Sequence, residues 1–410
     1  MGWLKKILPG LLIFFAVIGP GIITANVDND AGGIAIYSMA GSRFGYSLLW
    51  ILIPVLILLV IVQEMCARLG VVSGKGLADL IRENFSLRIT FFIMILLVVV
   101  NLANTISEFA GIAAASEIFG ISRYIAVPLA GFFVWWIILK GNYKSVEKVF
   151  LWACVFYLSY VFAGFLAHPS WTQVAAGFTP SFSFDKIFLI MIVGIIGTTI
   201  APWMQFYMQS SIVEKGIKKQ EYKFAKWDVI VGCFIAVIVA FFIILATAST
   251  IFKAGVGIET ASDAAMALLP LAGKYAAYLF AFGLLNASLF AACILPLSTA
   301  YSVSEAFGWE NGVNRKFSEA KQFYVLYTLM IVAGMIPILF PHLSLITLMY
   351  FSQVLNGILL PIIIIFMLKL VNNKEIMGKH VNSRFYNIVA WTAAIAIIVI
   401  TIVMIVMMFV

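Results

Sequence analysis

Windows of about 20 predominantly apolar residues recur along this chain, each long enough to cross the hydrocarbon core of a bilayer as a helix. Short loops rich in Lys, Gly and Asn separate them. With 63% hydrophobic and 11% charged residues and a mean hydropathy of +1.08, a chain of 410 residues lacks the polar surface that water requires. The windows predict one polytopic membrane domain over 1–410, with spans at 9–41 (broken), 46–69, 89–118, 124–140, 149–167, 185–213 (broken), 227–251, 275–304, 322–340, 344–370 and 385–409. The fold class expected is therefore all-α, with about eleven transmembrane helices and no attached soluble domain.

Charge orients the spans. With the N-terminus in the cytoplasm, 21 of the 26 Lys and Arg residues fall on the inner side. Only Arg43, Arg123, Lys186, Lys253 and Lys274 remain outside. An odd number of spans then places the C-terminus outside, and the localisation expected is the cell (inner) membrane. The same bias accounts for the net charge of +8 without nucleic acid, for which no clustered basic patch exists. The apolar run Leu11 to Ile23 follows Lys5 and Lys6 as a signal peptide would. It lacks a small-residue cleavage site, is interrupted by Gly19-Pro20-Gly21, and reads as a retained first helix. Cys66, Cys154, Cys233 and Cys293 lie in apolar windows without CxxC or Cys/His spacing, so neither disulfides nor a zinc site are expected.

Two spans cannot be continuous helices in lipid. Gly19-Pro20-Gly21 followed by Asn26-Val27-Asp28-Asn29-Asp30-Ala31-Gly32-Gly33 predicts that the first unwinds. In the sixth, Gly194, Gly197, Thr198 and Thr199 run into Ala201-Pro202-Trp203, where Pro202 removes a backbone donor and clashes with the preceding turn. Breaks in spans one and six occupy corresponding positions of two five-helix halves, 1–168 and 185–371, with 385–410 as an additional helix. That is the pattern of inverted-repeat transporters, whose substrates bind between half-helices.

Asp28 and Asp30 fall in the first break, near the bilayer midplane, where a carboxylate is costly unless a cation, a partner charge or water compensates it. No Lys or Arg of the span is near, so a positive ligand is expected, although an Asp there also serves to cap a following half-helix. The oxygens around them suit a hard cation: carbonyls of the unwound segments, the hydroxyls of Thr198 and Thr199, and the amides of Asn26 and Gln353. Softer transition metals prefer sulfur or imidazole. Met204 and Met208 follow Pro202 at helical spacing and read as packing. Glu64 with Arg68 four residues on reads as a structural pair. Glu108, deep in span three, has no local partner and reads equally as a permeation-path or a core residue. His168 and His342 fall in outer loops and His380 in an inner one, none placed to relay protons across the membrane. No nucleophile with its base, phosphate-binding loop or enzymatic metal cluster is present, so the chain is not expected to be an enzyme or to hold a cofactor.

Several ordered motifs resemble the Nramp family of divalent metal transporters over nearly the whole chain. Gly19-Pro20-Gly21 with Asp30-Ala31-Gly32-Gly33 resembles its first-helix motif. Gln63-Glu64-Met65-Cys66-Ala67-Arg68-Leu69-Gly70 and Ser73-Gly74-Lys75-Gly76-Leu77-Ala78-Asp79 resemble its segment after the second helix. Ser352-Gln353-Val354 with Pro361, and Met377-Gly378 with Asn382, resemble its tenth and eleventh helices. The resemblance implies a LeuT-type fold, alternating access and a metal role for Asp30 and Gln353. Where transition-metal members carry Asp, Asn, Ala and Met at the ion, this chain reads Asp30, Gly33, Thr198 and Ala201. Gly33 and Ala201 can offer only backbone oxygen or space. Trp203 stands where the family has a His and Thr105 where it has an acidic residue, while Glu108 is kept. These departures resemble the family's magnesium-transporting branch.

The function expected is a secondary carrier importing Mg²⁺, with Mn²⁺ as a further substrate, by proton-uncoupled alternating access. Asp30, Gln353, Thr198, Gly33, Ala201, Asp28 and Thr199 are the expected metal-site residues, and Glu108, Trp203 and Asn26 the permeation-path candidates. The divalent ion is substrate, and the lipid bilayer is the other partner. Ca²⁺ shares the oxygen preference, and a monomer is compatible with the sequence. The competing readings are a proton-coupled Mn²⁺ or Fe²⁺ importer of the same family, and an amino-acid permease on the same fold.

Overall fold

A computed structural model describes residues 17–255, 261–340 and 344–409. The first span before Val17, including Leu11 to Ala16 of the apolar run, and His342 lie outside the described residues. Span one is two helices, α1 (Pro20–Val27) and α2 (Ala31–Phe44). Span two is α3 (Leu52–Ser73), followed by α4 (Leu77–Asn84), an amphipathic helix that apolar windows do not reveal. Spans three and four are α5 (Leu87–Ile118) and α6 (Arg123–Lys140). Span five is α7 (Tyr143–Phe156) and α8 (Leu158–Leu166), after which α9 (Trp171–Ala176) crosses to span six. Span six is α10 (Lys186–Thr199) and α11 (Pro202–Lys215). Spans seven to ten are α12 (Tyr222–Thr247), α13 (Ala261–Phe307), α14 (Lys321–Met335) and α15 (Leu345–Val371). A short α16 (Lys374–Met377) precedes span eleven, α17 (Arg384–Phe409). Ten stretches among the described residues are long and apolar enough to cross a bilayer, and the broken pair α1–α2 adds the eleventh.

The break in span one is narrower than the sequence suggests. Gly19, at φ 150°, and Pro20 open α1 rather than interrupt it, because proline at the first helical turn has no donor to lose. The orphan donors of that turn are satisfied from another span: the Asp228 carboxylate of α12 accepts from Gly19 N (3.2 Å), Gly21 N (2.6 Å) and Ile22 N (3.3 Å). Only Asp28, Asn29 and Asp30 separate α1 from α2. In span six the break is Ile200–Ala201, with Ala201 extended and Pro202 again at a first turn.

The broken spans are held centrally. α12 packs along α1, α2 and α3, whereas α5 lies against α13 and α15. α15 also packs on α10, and Gly197 of α10 meets it so closely that an added Cβ would lie 2.5 Å from Gln353 O and from Gly357 N. Glycine there brings the two backbones together and sets Gln353 beside both breaks. Lipid-facing apolar side chains ring the exterior, including Phe132, Trp152, Phe162 and Ile395, all more than half exposed.

Candidate metal centre

Asp30 is the N-cap of α2, and its Oδ1 accepts from Gly33 N at 2.6 Å. Helix capping and cation binding are thus not exclusive here, since a carboxylate that accepts one amide keeps further lone pairs. Ala31 N, a second orphan donor of the same turn, donates a hydrogen bond to Glu108 Oε2 of α5 at 3.1 Å. Gln353 Nε2 lies 3.2 and 3.4 Å from the two Asp30 oxygens. Asp28, Asp30 and Glu108 are each at most 2% exposed, and Asp28 Oδ1 and Glu108 Oε1 have no hydrogen-bond partner. Three buried carboxyl groups converge without a Lys or Arg bonded to them, an arrangement that calls for a cation, bound protons or water.

Oxygens from both broken spans close in on Gly33. A Cβ on Gly33 would stand 2.7 Å from Asp28 O, 2.8 Å from Thr198 Oγ1 and 3.4 Å from Asp30 Oδ1. Oxygens of the first break, the second broken span and the capping carboxylate therefore crowd the Gly33 backbone so closely that even a methyl there would clash. Thr198 Oγ1 is buried and unpartnered. Thr199, its neighbour, is committed elsewhere: its hydroxyl donates to Ile195 O (2.7 Å) and meets Tyr37 Oη at 2.7 Å. Asp28 contributes to this cluster of oxygens through its carbonyl. Asn26 lies within α1 with Nδ2 donating to Ile22 O at 2.8 Å, leaving Oδ1 unpartnered. Ala201 is buried at the N-terminus of α11 and supplies no thioether. Trp203 is fully buried, its Nε1 has no acceptor, and its carbonyl accepts from Ser298 Oγ at 3.1 Å. Met208 is taken up in packing, its Sδ 3.7 Å from Thr24 Oγ1. Among the described residues no group of three His, Cys, Asp or Glu side chains could hold an ion by itself, so carbonyl, hydroxyl or water oxygens are needed to complete a shell.

Away from this centre, the pair of Glu64 and Arg68 is present, with Nε 3.2 Å from Oε1. It belongs to a larger knot in which Arg68 also donates to Asn382 Oδ1 (2.5 Å) and His380 O (2.7 Å), and Tyr222 donates to Glu64. Apolar windows assign no role to Asn104, Asn356 or Asp228, although each is a polar residue in or beside such a window, the one sequence signal that marks them.

Among the described residues, ten long apolar stretches and a broken pair whose gap holds two buried carboxyl groups define a multi-pass membrane transporter of the inverted-repeat, LeuT-type class. A family model described as Natural resistance-associated macrophage protein-like matches residues 21–407, and the chain belongs to this Nramp family. It is similar to the divalent metal cation transporter MntH of Deinococcus radiodurans, 26% identical over 410 residues that cover 96% of this chain and 88% of that one. MntH of Bacillus subtilis is 27% identical over 413 residues, covering 97% and 92%. In fold it matches the Eremococcus coleocola manganese transporter with a TM-score of 0.80 at 23% identity, over 96% of this chain and 86% of that one. MhsT, solved with L-phenylalanine, matches with a TM-score of 0.65 at 12% identity, over 94% and 98%.

Proposed function

We propose that the chain imports divalent cations, Mg²⁺ foremost, through the volume bounded by Asp28 O, Asp30 and Thr198. The observation that carries this reading is the convergence of oxygens around Gly33 with no sulfur or imidazole among them. Magnesium is a hard ion that prefers about six oxygens, and the oxygens packed around Gly33, with no thioether at Ala201, match that preference. Asp30 supplies charge, Asp28 O and Thr198 Oγ1 supply neutral oxygen, and Gln353 completes the wall. Asn26, Thr199 and Trp203 shape the surroundings, and Glu108 anchors the start of α2.

Inward direction follows in this reading from the inside-negative membrane potential, which favours entry of a divalent cation. Transport proceeds without protons in this reading, because Trp203 and Thr105 replace the titratable groups that the family resemblance leads one to expect. A second reading, import of Mn²⁺, is favoured by the relatives: two bear the name divalent metal cation transporter, and the similar fold is that of a manganese transporter. Purified protein in liposomes, offered Mg²⁺, Mn²⁺ or a mixture of amino acids under an inward-negative potential, separates these. Mg²⁺ uptake exceeding Mn²⁺ uptake is expected. Uptake of Mn²⁺ alone establishes the second reading, and uptake of amino acids alone overturns both.

A further inference from the structure

Behind Gln353 runs a chain of buried amides that the cation site does not itself require. Gln353 Oε1 accepts from Asn356 Nδ2 at 2.7 Å. Asn356, one turn further along α15, exchanges two hydrogen bonds with Asn104 of α5: Asn104 Nδ2 donates to Asn356 Oδ1 at 2.9 Å, and Asn356 Nδ2 donates to Asn104 Oδ1 at 3.1 Å. All three side chains are fully buried. In this arrangement Gln353 turns its N–H toward Asp30 and its oxygen away. An N–H suits a carboxylate and opposes a cation, so a divalent ion beside Asp30 demands the reverse orientation.

We infer that Asn104 and Asn356 are positioning residues that let Gln353 present either face, N–H toward the Asp30 carboxylate or oxygen toward a bound divalent cation. The physical basis is the symmetry of the amide chain. If all three amides rotate together, Gln353 Nε2 donates to Asn356 Oδ1, and the Asn104–Asn356 pair exchanges donors for acceptors. The three hydrogen bonds of the chain are retained. No proton enters or leaves, and each amide nitrogen and oxygen of the chain keeps a hydrogen-bond or ion partner, which limits the cost that reorienting an isolated amide would carry. Because Asn104 stands on span three and Asn356 on span ten, the chain also ties the cation-facing orientation to the packing of two spans. This inference rests on the proposed reading that the ion binds beside Asp30.

Asn356→Leu is expected to weaken binding selectively. Without an acceptor at 356, the cation-facing orientation leaves a buried Gln353 N–H unpaired, whereas the carboxylate-facing one leaves only an oxygen, the lesser penalty. The test is isothermal titration of Mg²⁺ into the full chain in lipid nanodiscs, for wild type, Asn356→Leu, Gln353→Glu and the double variant. Asn356→Leu should raise Kd about tenfold or more. In the Gln353→Glu background, where no N–H exists to be oriented, the same change should alter Kd by less than about twofold. Wild-type affinity in Asn356→Leu, or an equal penalty in both backgrounds, overturns the inference, the latter by showing a merely structural role. Asn356→Ala carries the same expectation should leucine prevent insertion. Asp30→Ala reports on the underlying reading: wild-type binding there removes the site altogether, whereas lost binding there with unaffected Asn356→Leu removes only the amide chain.

Discussion

In the proposed reading, Gly33 and Thr198 decide what the centre can hold. Gly33→Ala places a methyl 2.7 Å from Asp28 O and 2.8 Å from Thr198 Oγ1, inside van der Waals contact and inside the volume where the ion is proposed to sit. Mg²⁺ uptake by that variant should fall at least about tenfold, with a lowered melting temperature from overpacking against the Asp28 carbonyl. Undiminished uptake places the ion elsewhere. Thr198→Val keeps the shape and removes one unpartnered oxygen, so it should raise KM for Mg²⁺ more than for Mn²⁺, as measured by initial rates in liposomes. Ala201→Met adds a thioether at the start of α11 and is expected to move the Mn²⁺ to Mg²⁺ uptake ratio upward. An unchanged ratio removes Ala201 from the neighbourhood of the ion.

The half-helices position these residues, and their ends are where the sequence was most and least legible. Span number, both breaks and the placing of Asp30 follow from apolar windows, proline and an unexplained carboxylate, all of them local signals. The extent of the first break does not. Gly19-Pro20-Gly21 reads as a disruption until Asp228, more than two hundred residues away, is seen to accept from three amides of that turn. The amide chain is hidden for the same reason, since Asn104 and Asn356 acquire meaning only when α5 and α15 pack. Thr198 and Thr199 are alike in sequence and differ only because a helix turns one toward Gly33 and the other toward Tyr37. Asp228→Ala should therefore loosen the start of α1 and cost on the order of 3 kcal/mol, read as a lowered melting temperature in detergent. A melting temperature equal to wild type contradicts that role.

Across the whole molecule, α11 is fastened at its far end to spans five and eight. Lys215 Nζ lies 2.7 Å from Glu147 Oε1, Ser211 Oγ 2.6 Å from Tyr143 Oη, and Ser210 donates to Glu305 Oε1 at 2.5 Å. In the proposed reading, alternating access parts that end from its neighbours as the site opens, with ion binding between the half-helices biasing the change. A divalent ion crossing about 100 mV gains roughly twice the single-charge value of 2.3 kcal/mol, enough to drive accumulation without protons. Liposomes loaded with a pH dye should thus show Mg²⁺ influx with no acidification above leak; metal-dependent acidification abolished by Asp30→Ala restores the proton-coupled reading. The most direct test of the centre itself is anomalous diffraction from crystals soaked in Mn²⁺ as a heavier stand-in for Mg²⁺. A single peak bounded by Asp30, Asp28 O and Thr198 Oγ1, lost in Asp30→Ala, is the predicted result, and a peak away from the two helix breaks contradicts the account.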